Sequence, residues 1–179
     1  MTIKRIVTGH DSSGSAVFIE NGPLAGVESF IHSPGFSAAL VWQTEPQARI
    51  VDQPTDPAQR LVSVVPAPGG SSALLVTFPP DSLAGAGDFD PEAAGRELCA
   101  RLPGLGERFE AEHPGFHRTD TIDYGVVLEG EVELELDGGR TSRLRQGDFV
   151  VQMGTRHAWR NPGNTPARLL FVLVGAQRS

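Results

Sequence analysis

The chain has 179 residues, 39% of them apolar, with a formal net charge of −7 and a pI near 5.2. Its length suits one domain with a substantial core. The acidic balance excludes the basic face that nucleic acid requires, and no apolar stretch approaches the roughly 20 residues of a membrane-spanning helix.

The single cysteine, Cys99, excludes an intramolecular disulfide and suits a reducing compartment. Met1–Val7 lacks the apolar block of a signal peptide, so a cytoplasmic location is expected. The 21 glycines and 14 prolines show no period, and they punctuate many short β-like runs. These runs are Ile3–Thr8, Ser15–Ile19, Val27–Ile31, Phe36–Trp42, Leu61–Val65 and Ala73–Phe78. Clusters such as Asn21-Gly22-Pro23 and Pro68-Gly69-Gly70 separate them. The polar stretch Gln43–Arg60, with three prolines, reads as an excursion or loop.

One helix is expected. Asp90-Pro91-Glu92 supplies an N-cap, a proline at the first helical position and an acid in the first turn. Glu92–Leu102 then places Leu98, Cys99 and Leu102 on one face before Pro103-Gly104 ends it. Farther on, Val132, Leu134 and Leu136 alternate with Glu131, Glu133 and Glu135, the pattern of a strand with one buried face. Asp137-Gly138-Gly139 turns the chain into Arg140–Arg145. Phe149–Gln152, His157–Asn161 and the apolar, hence central, Arg168–Val174 complete the set. Val132, Leu134, Leu136, Val150, Leu170 and Val172 are the expected core.

Two segments carry the chemistry. The first is Gly115-Phe116-His117-Arg118-Thr119-Asp120-Thr121-Ile122-Asp123-Tyr124-Gly125, continuing to Gly130-Glu131. The second runs from Gly147-Asp148 through Gln152, Arg156 and His157 to Asn161. On a regular strand His117, Thr119 and Asp123 share one face, whereas Tyr124 and Arg118 point the other way. His157 arrives from another strand pair.

Together the segments resemble the paired motifs of the cupin superfamily, over residues 113–174. That family's first motif holds His-x-His and a Glu about four residues on; its second opens with Gly-Asp and closes with His. His117, Asp123 and His157 fall on three of the four ligand positions, and Thr119 stands where the second His would be. The resemblance implies an all-β jelly-roll barrel with extra N-terminal strands and one short helix. Residues 1–105 would pack on a conserved barrel core at 106–179, within one structural domain. It further implies one divalent ion (Fe, Mn, Zn or Ni) on His117, Asp123 and His157, the 2-His-1-carboxylate set, with His113 in reserve and Thr119 as an orienting hydroxyl.

Asp120, Tyr124, Gln152 and Arg156 are candidates for moving protons or holding substrate, and Trp42 and Trp159 for walling the pocket. His10 and His32 read as loop residues. Three functions follow: a metal-assisted lyase or isomerase such as a dehydratase, a non-haem Fe(II) dioxygenase, or a binding module without catalysis. The expected partner is a small oxygenated metabolite. A homodimer is also expected, because N-terminal strands need a sheet edge to pair with.

Overall fold

Ten strands and one α-helix are formed within residues 3–83 and 89–179, the residues described by the computed structural model. In chain order they are β1 (Lys4–His10), β2 (Ala16–Pro23), β3 (Ser37–Thr44), β4 (Ser71–Phe78) and α1 (Pro91–Arg101). They continue with β5 (Thr121–Glu129), β6 (Glu131–Leu136), β7 (Arg140–Arg145), β8 (Phe149–Met153), β9 (His157–Arg160) and β10 (Ala167–Gly175). Two sheets face each other: β3-β4-β10-β5-β8 and β7-β6-β9, all neighbours antiparallel. This is the jelly-roll arrangement expected. β1 and β2 form a separate hairpin, so the N-terminal half supplies both an appendage and, through β3 and β4, two strands of the main sheet.

β10 is central, paired with β4 on one side and β5 on the other. Its inward side chains are Leu169, Phe171 and Leu173, each buried, whereas Leu170 and Val172 lie on the other face and are only half-buried. The expected core is corrected there by one residue of parity. From Leu169 to Val174 every position is apolar, so alternation is lost and only Arg168, at the start of the strand, marks the outer face. Val132 and Leu134 are buried as expected; Leu136 and Val150 pack at the margin of the core. The outer face near the free edge of the main sheet is apolar. Phe149, Val151 and Met153 on β8 are well exposed, as is Tyr124 on β5.

Two expected strands are absent, for a local reason in each case. At 27–31 the backbone is satisfied by α1 instead of a sheet. The Glu97 carboxylate accepts from the Ile31 and His32 amides at 2.8 and 2.7 Å, and Arg101 donates to the Glu28 carbonyl at 3.1 Å. Across 61–65 the Ser63 hydroxyl bonds the Val65 backbone, and the Val64 amide donates to the Pro103 carbonyl at 2.8 Å. Side chains thus take the hydrogen bonds that a ladder would need. His10, expected in a loop, is the last residue of β1.

The helix starts as its residues dictate. The Asp90 carboxylate accepts from the Glu92 and Ala93 amides, both at 3.0 Å, with Pro91 at the first helical position. It buries Ala93 and Ala94 and ends on buried Leu102, while Leu98 and Cys99 are half-buried. No helix among the described residues is long and apolar enough to cross a membrane.

Candidate functional site

His117 is delivered by a tight turn. The Phe116 amide donates to the His113 carbonyl at 3.0 Å, with Pro114 and Gly115 in the central positions and Gly115 at φ +85°. Proline then glycine with a positive φ is the residue pair such a turn requires. A side chain at 115 would also collide with the Arg160 guanidinium, 2.9 Å from the Cβ position, which donates to the Pro114 carbonyl. Arg156 clamps the same segment. It forms a two-pronged ion pair with Glu110 at 2.6 Å, reaches Asp137 at 2.7 Å and lies 4.0 Å above the Phe116 ring. The candidate substrate residue Arg156 is therefore committed to positioning the turn, since a fork already holding a carboxylate has few donors left to offer.

The turn lays His117 beside His157. The two residues exchange backbone hydrogen bonds of 3.0 and 3.1 Å, extending the small sheet past β9. Their rings sit 4.3 Å apart, centre to centre. Each Nδ1 faces a carbonyl, Gly115 at 3.1 Å for His117 and Thr155 at 2.9 Å for His157. A carbonyl can only accept, so both Nδ1 atoms carry the hydrogen and both Nε2 atoms keep a lone pair. Burial, reinforced by the adjacent His157, pushes His117 down to about 4, and burial lowers His157 as well. Both rings are neutral at pH 7. Phe109 stacks over His117 at 4.3 Å and covers its free face.

β5 contributes the facing groups. Thr121, Asp123, Gly125 and Val127 form its inward, buried row, and Tyr124 is 54% exposed on the outside. Tyr124 is thereby corrected as a catalytic candidate: strand parity turns its hydroxyl away from the interior. Gln152 on β8 is the cross-strand partner of Asp123 and is also buried. The Asp123 Oδ1 and the Gln152 Nε2 have no hydrogen-bond partner, an acceptor and a donor both left free in an apolar interior. Burial raises the Asp123 carboxyl to about 6, with the Thr121 hydroxyl partly offsetting the rise. The hydroxyls of Thr119 and Thr121 bond each other at 2.7 Å, so Thr119 lines the same row without a ligating nitrogen.

Phe171, paired with Gly125, meets Trp159 across the barrel at 5.4 Å, and Trp159 meets His157 at 6.3 Å. Asp123 lies one inward position beyond Gly125, and His157 one beyond Trp159. Imidazoles, carboxyl and amide thus border one end of the interior. Trp159 walls it, while Trp42 lies instead beneath the Arg5 guanidinium.

The donor chemistry of the imidazole pair fits a divalent ion, because tautomers fixed by carbonyls leave both Nε2 atoms free to ligate. Among the described residues no three His, Cys, Asp or Glu side chains are grouped closely enough to hold an ion. His113 stays exposed against Phe116. Asp120 is exposed and ion-paired with Arg178, outside the barrel interior. The sequence reading missed Thr121, which shares the parity of Asp123, and Phe109, which no motif marks.

Residues 106–173 match the family model described as a cupin domain. The phomopsin biosynthesis cluster protein C' of Diaporthe leptostromiformis is 32% identical over 181 residues, a match covering 98% of this chain and 80% of that protein. The cupin-domain-containing oxidoreductase fogC of Aspergillus ruber is 28% identical, over 96% of this chain and 72% of its own length. A third relative, the oryzines biosynthesis cluster protein J of Aspergillus oryzae, is 48% identical over 75 residues. That match spans 39% of this chain and 42% of the relative, so it stands for part of that protein only.

Proposed function

Since the chain belongs to the cupin superfamily, we propose that it is an enzyme of small-molecule biosynthesis that moves a proton on an oxygenated metabolite. In reaction class it is a lyase or isomerase such as a dehydratase. The observation that carries this reading is the buried Asp123 carboxyl, its Oδ1 without a partner, at the same end of the barrel as two neutral imidazoles. A carboxylate near 6 is a base matched to neutral pH, well placed between full ionisation and useful basicity. The biosynthesis-cluster relatives support the setting.

His117 and His157 would hold a divalent ion through Nε2, which when bound supplies polarisation of a substrate carbonyl. Asp123 takes a proton from the carbon beside that carbonyl. Returning it to another carbon isomerises the substrate; returning it to a departing hydroxyl on the next carbon releases water. The Gln152 amide, free of other partners, donates to the oxygen on which charge develops. Phe109, stacked on His117, and Trp159 limit the access of water.

The test is a panel of small β-hydroxy carbonyl compounds turned over anaerobically in D2O. Deuterium should enter at the carbon next to the carbonyl, with the exchange lost in Asp123→Asn. Turnover that requires O2 and consumes it would overturn the proposal. It would favour the second reading, an oxidoreductase such as a non-haem iron dioxygenase, which the fogC relative's name supports.

A further inference from the structure

Outside the barrel interior, a cavity of about 790 Å³ opens where β3 and β10 end. That volume falls in the range of small-molecule sites, roughly 300–1,000 Å³. Its walls are pinned rather than loose. The Gln43 amide donates to the Ser63 carbonyl at 2.8 Å, the Gly69 amide to the Gly175 carbonyl and the Gly175 amide to the Gly70 carbonyl, both at 2.9 Å. Gly104 presses so close to Ser63 that a Cβ there would lie 2.0 Å from its hydroxyl.

Three guanidinium groups line the cavity, Arg60, Arg108 and Arg178, against the carboxylates of Glu45 and Asp120. Arg178 is occupied by Asp120 and by the Thr119 and Gly154 carbonyls at 2.8 and 2.9 Å. Arg60 and Arg108 have no carboxylate partner among the described residues. Acids outnumber bases 22 to 15 in this chain, so two arginines without a carboxylate among the described residues, sharing one concave wall, stand against the overall composition. The rest of the wall is mixed, with Val62, 87% exposed, and Pro46, Pro66 and Pro68 beside polar Thr44 and Ser63.

We propose that this cavity binds the carboxylate of a small organic acid with an apolar body. Arg60 and Arg108 take the anionic end, because the planar guanidinium fork matches a carboxylate in two parallel hydrogen bonds. Val62 and the prolines take the hydrocarbon. The site is separate from the barrel interior, since His117, Asp123, Gln152 and His157 are not among its lining residues. It does not depend on the reaction proposed above.

Titration calorimetry with octanoate tests this on the whole protein. Octanoate should bind the wild type and His117→Ala equally, and should bind Arg60→Gln/Arg108→Gln roughly tenfold or more weakly. Both arginines are exposed, so the double variant keeps its fold. Failure of octanoate to bind the wild type, or equal binding by the double variant, would overturn the proposal. Loss in His117→Ala with retention in the double variant would place the acid in the barrel instead. Displacement of octanoate by inorganic phosphate at equal concentration would assign the cavity to phosphate and overturn the organic-acid reading.

Discussion

Asp123→Asn should make the ion-free protein more stable at pH 7 while abolishing proton transfer. The folded-state carboxyl titrates at about 6, against an ordinary value of 3.8. Between those values the folded chain holds a proton that the unfolded chain has released, so stability falls as pH rises from about 4 to 6. At pH 7 the full cost of the buried charge is present, on the order of 3 kcal/mol for a shift of about two units. Asparagine has nearly the same shape and never ionises. Its advantage should vanish below pH 4, where both side chains are neutral. Urea unfolding of both proteins at pH 3.5 and pH 7 checks this. An Asn variant less stable than the wild type at pH 7 would mean that the carboxylate is paired and stabilising in the fold. Such a penalty is expected where a group is kept for chemistry, since active sites trade stability for perturbed titration.

Phe171→Ala should cost about 3–5 kcal/mol, the usual loss for a large aromatic removed from a well-packed core. Phe171 is 6% exposed, packs against Trp159 and lies over Gly125, where a Cβ would come within 3.0 Å of the Phe171 ring. The gap left by its removal opens beside the tryptophan that contacts His157. Denaturant unfolding followed by tryptophan fluorescence measures the loss. A change under about 1 kcal/mol would show that the barrel closes without this contact. Leu170→Ala, on the half-buried outer face, should cost distinctly less.

That contrast shows where the sequence was legible. β6 alternates Val and Leu with Glu, so its inner face could be read directly, and Val132 and Leu134 are buried. β10 is apolar from Leu169 to Val174, so its central place is plain, whereas its outer face is marked by Arg168 alone. The runs 27–31 and 61–65 have strand composition but form no ladder, because side chains of α1 and Ser63 satisfy their backbone.

The candidate site followed the same division. The meeting of His117 with His157 and the inward aim of Asp123 and Gln152 follow from motif position and parity. Parity also turned Tyr124 outward. Arg156 could not be assigned from its place in the motif, because its partners Glu110 and Asp137 lie in segments that only the folded chain brings near. The cavity around Arg60 and Arg108 was hidden for the same reason: its lining joins stretches far apart in sequence.

We propose that Asp123 is a proton acceptor beside a two-imidazole ion centre and not a ligand to it. Ion content by mass spectrometry tests this most directly, on wild type, His117→Ala, His157→Ala and Asp123→Asn purified without chelator. A divalent ion is expected in the wild type and in Asp123→Asn, the latter inactive, and none in either histidine variant. An ion lost from Asp123→Asn together with both histidine variants would make the carboxylate a third ligand and overturn its role as the base.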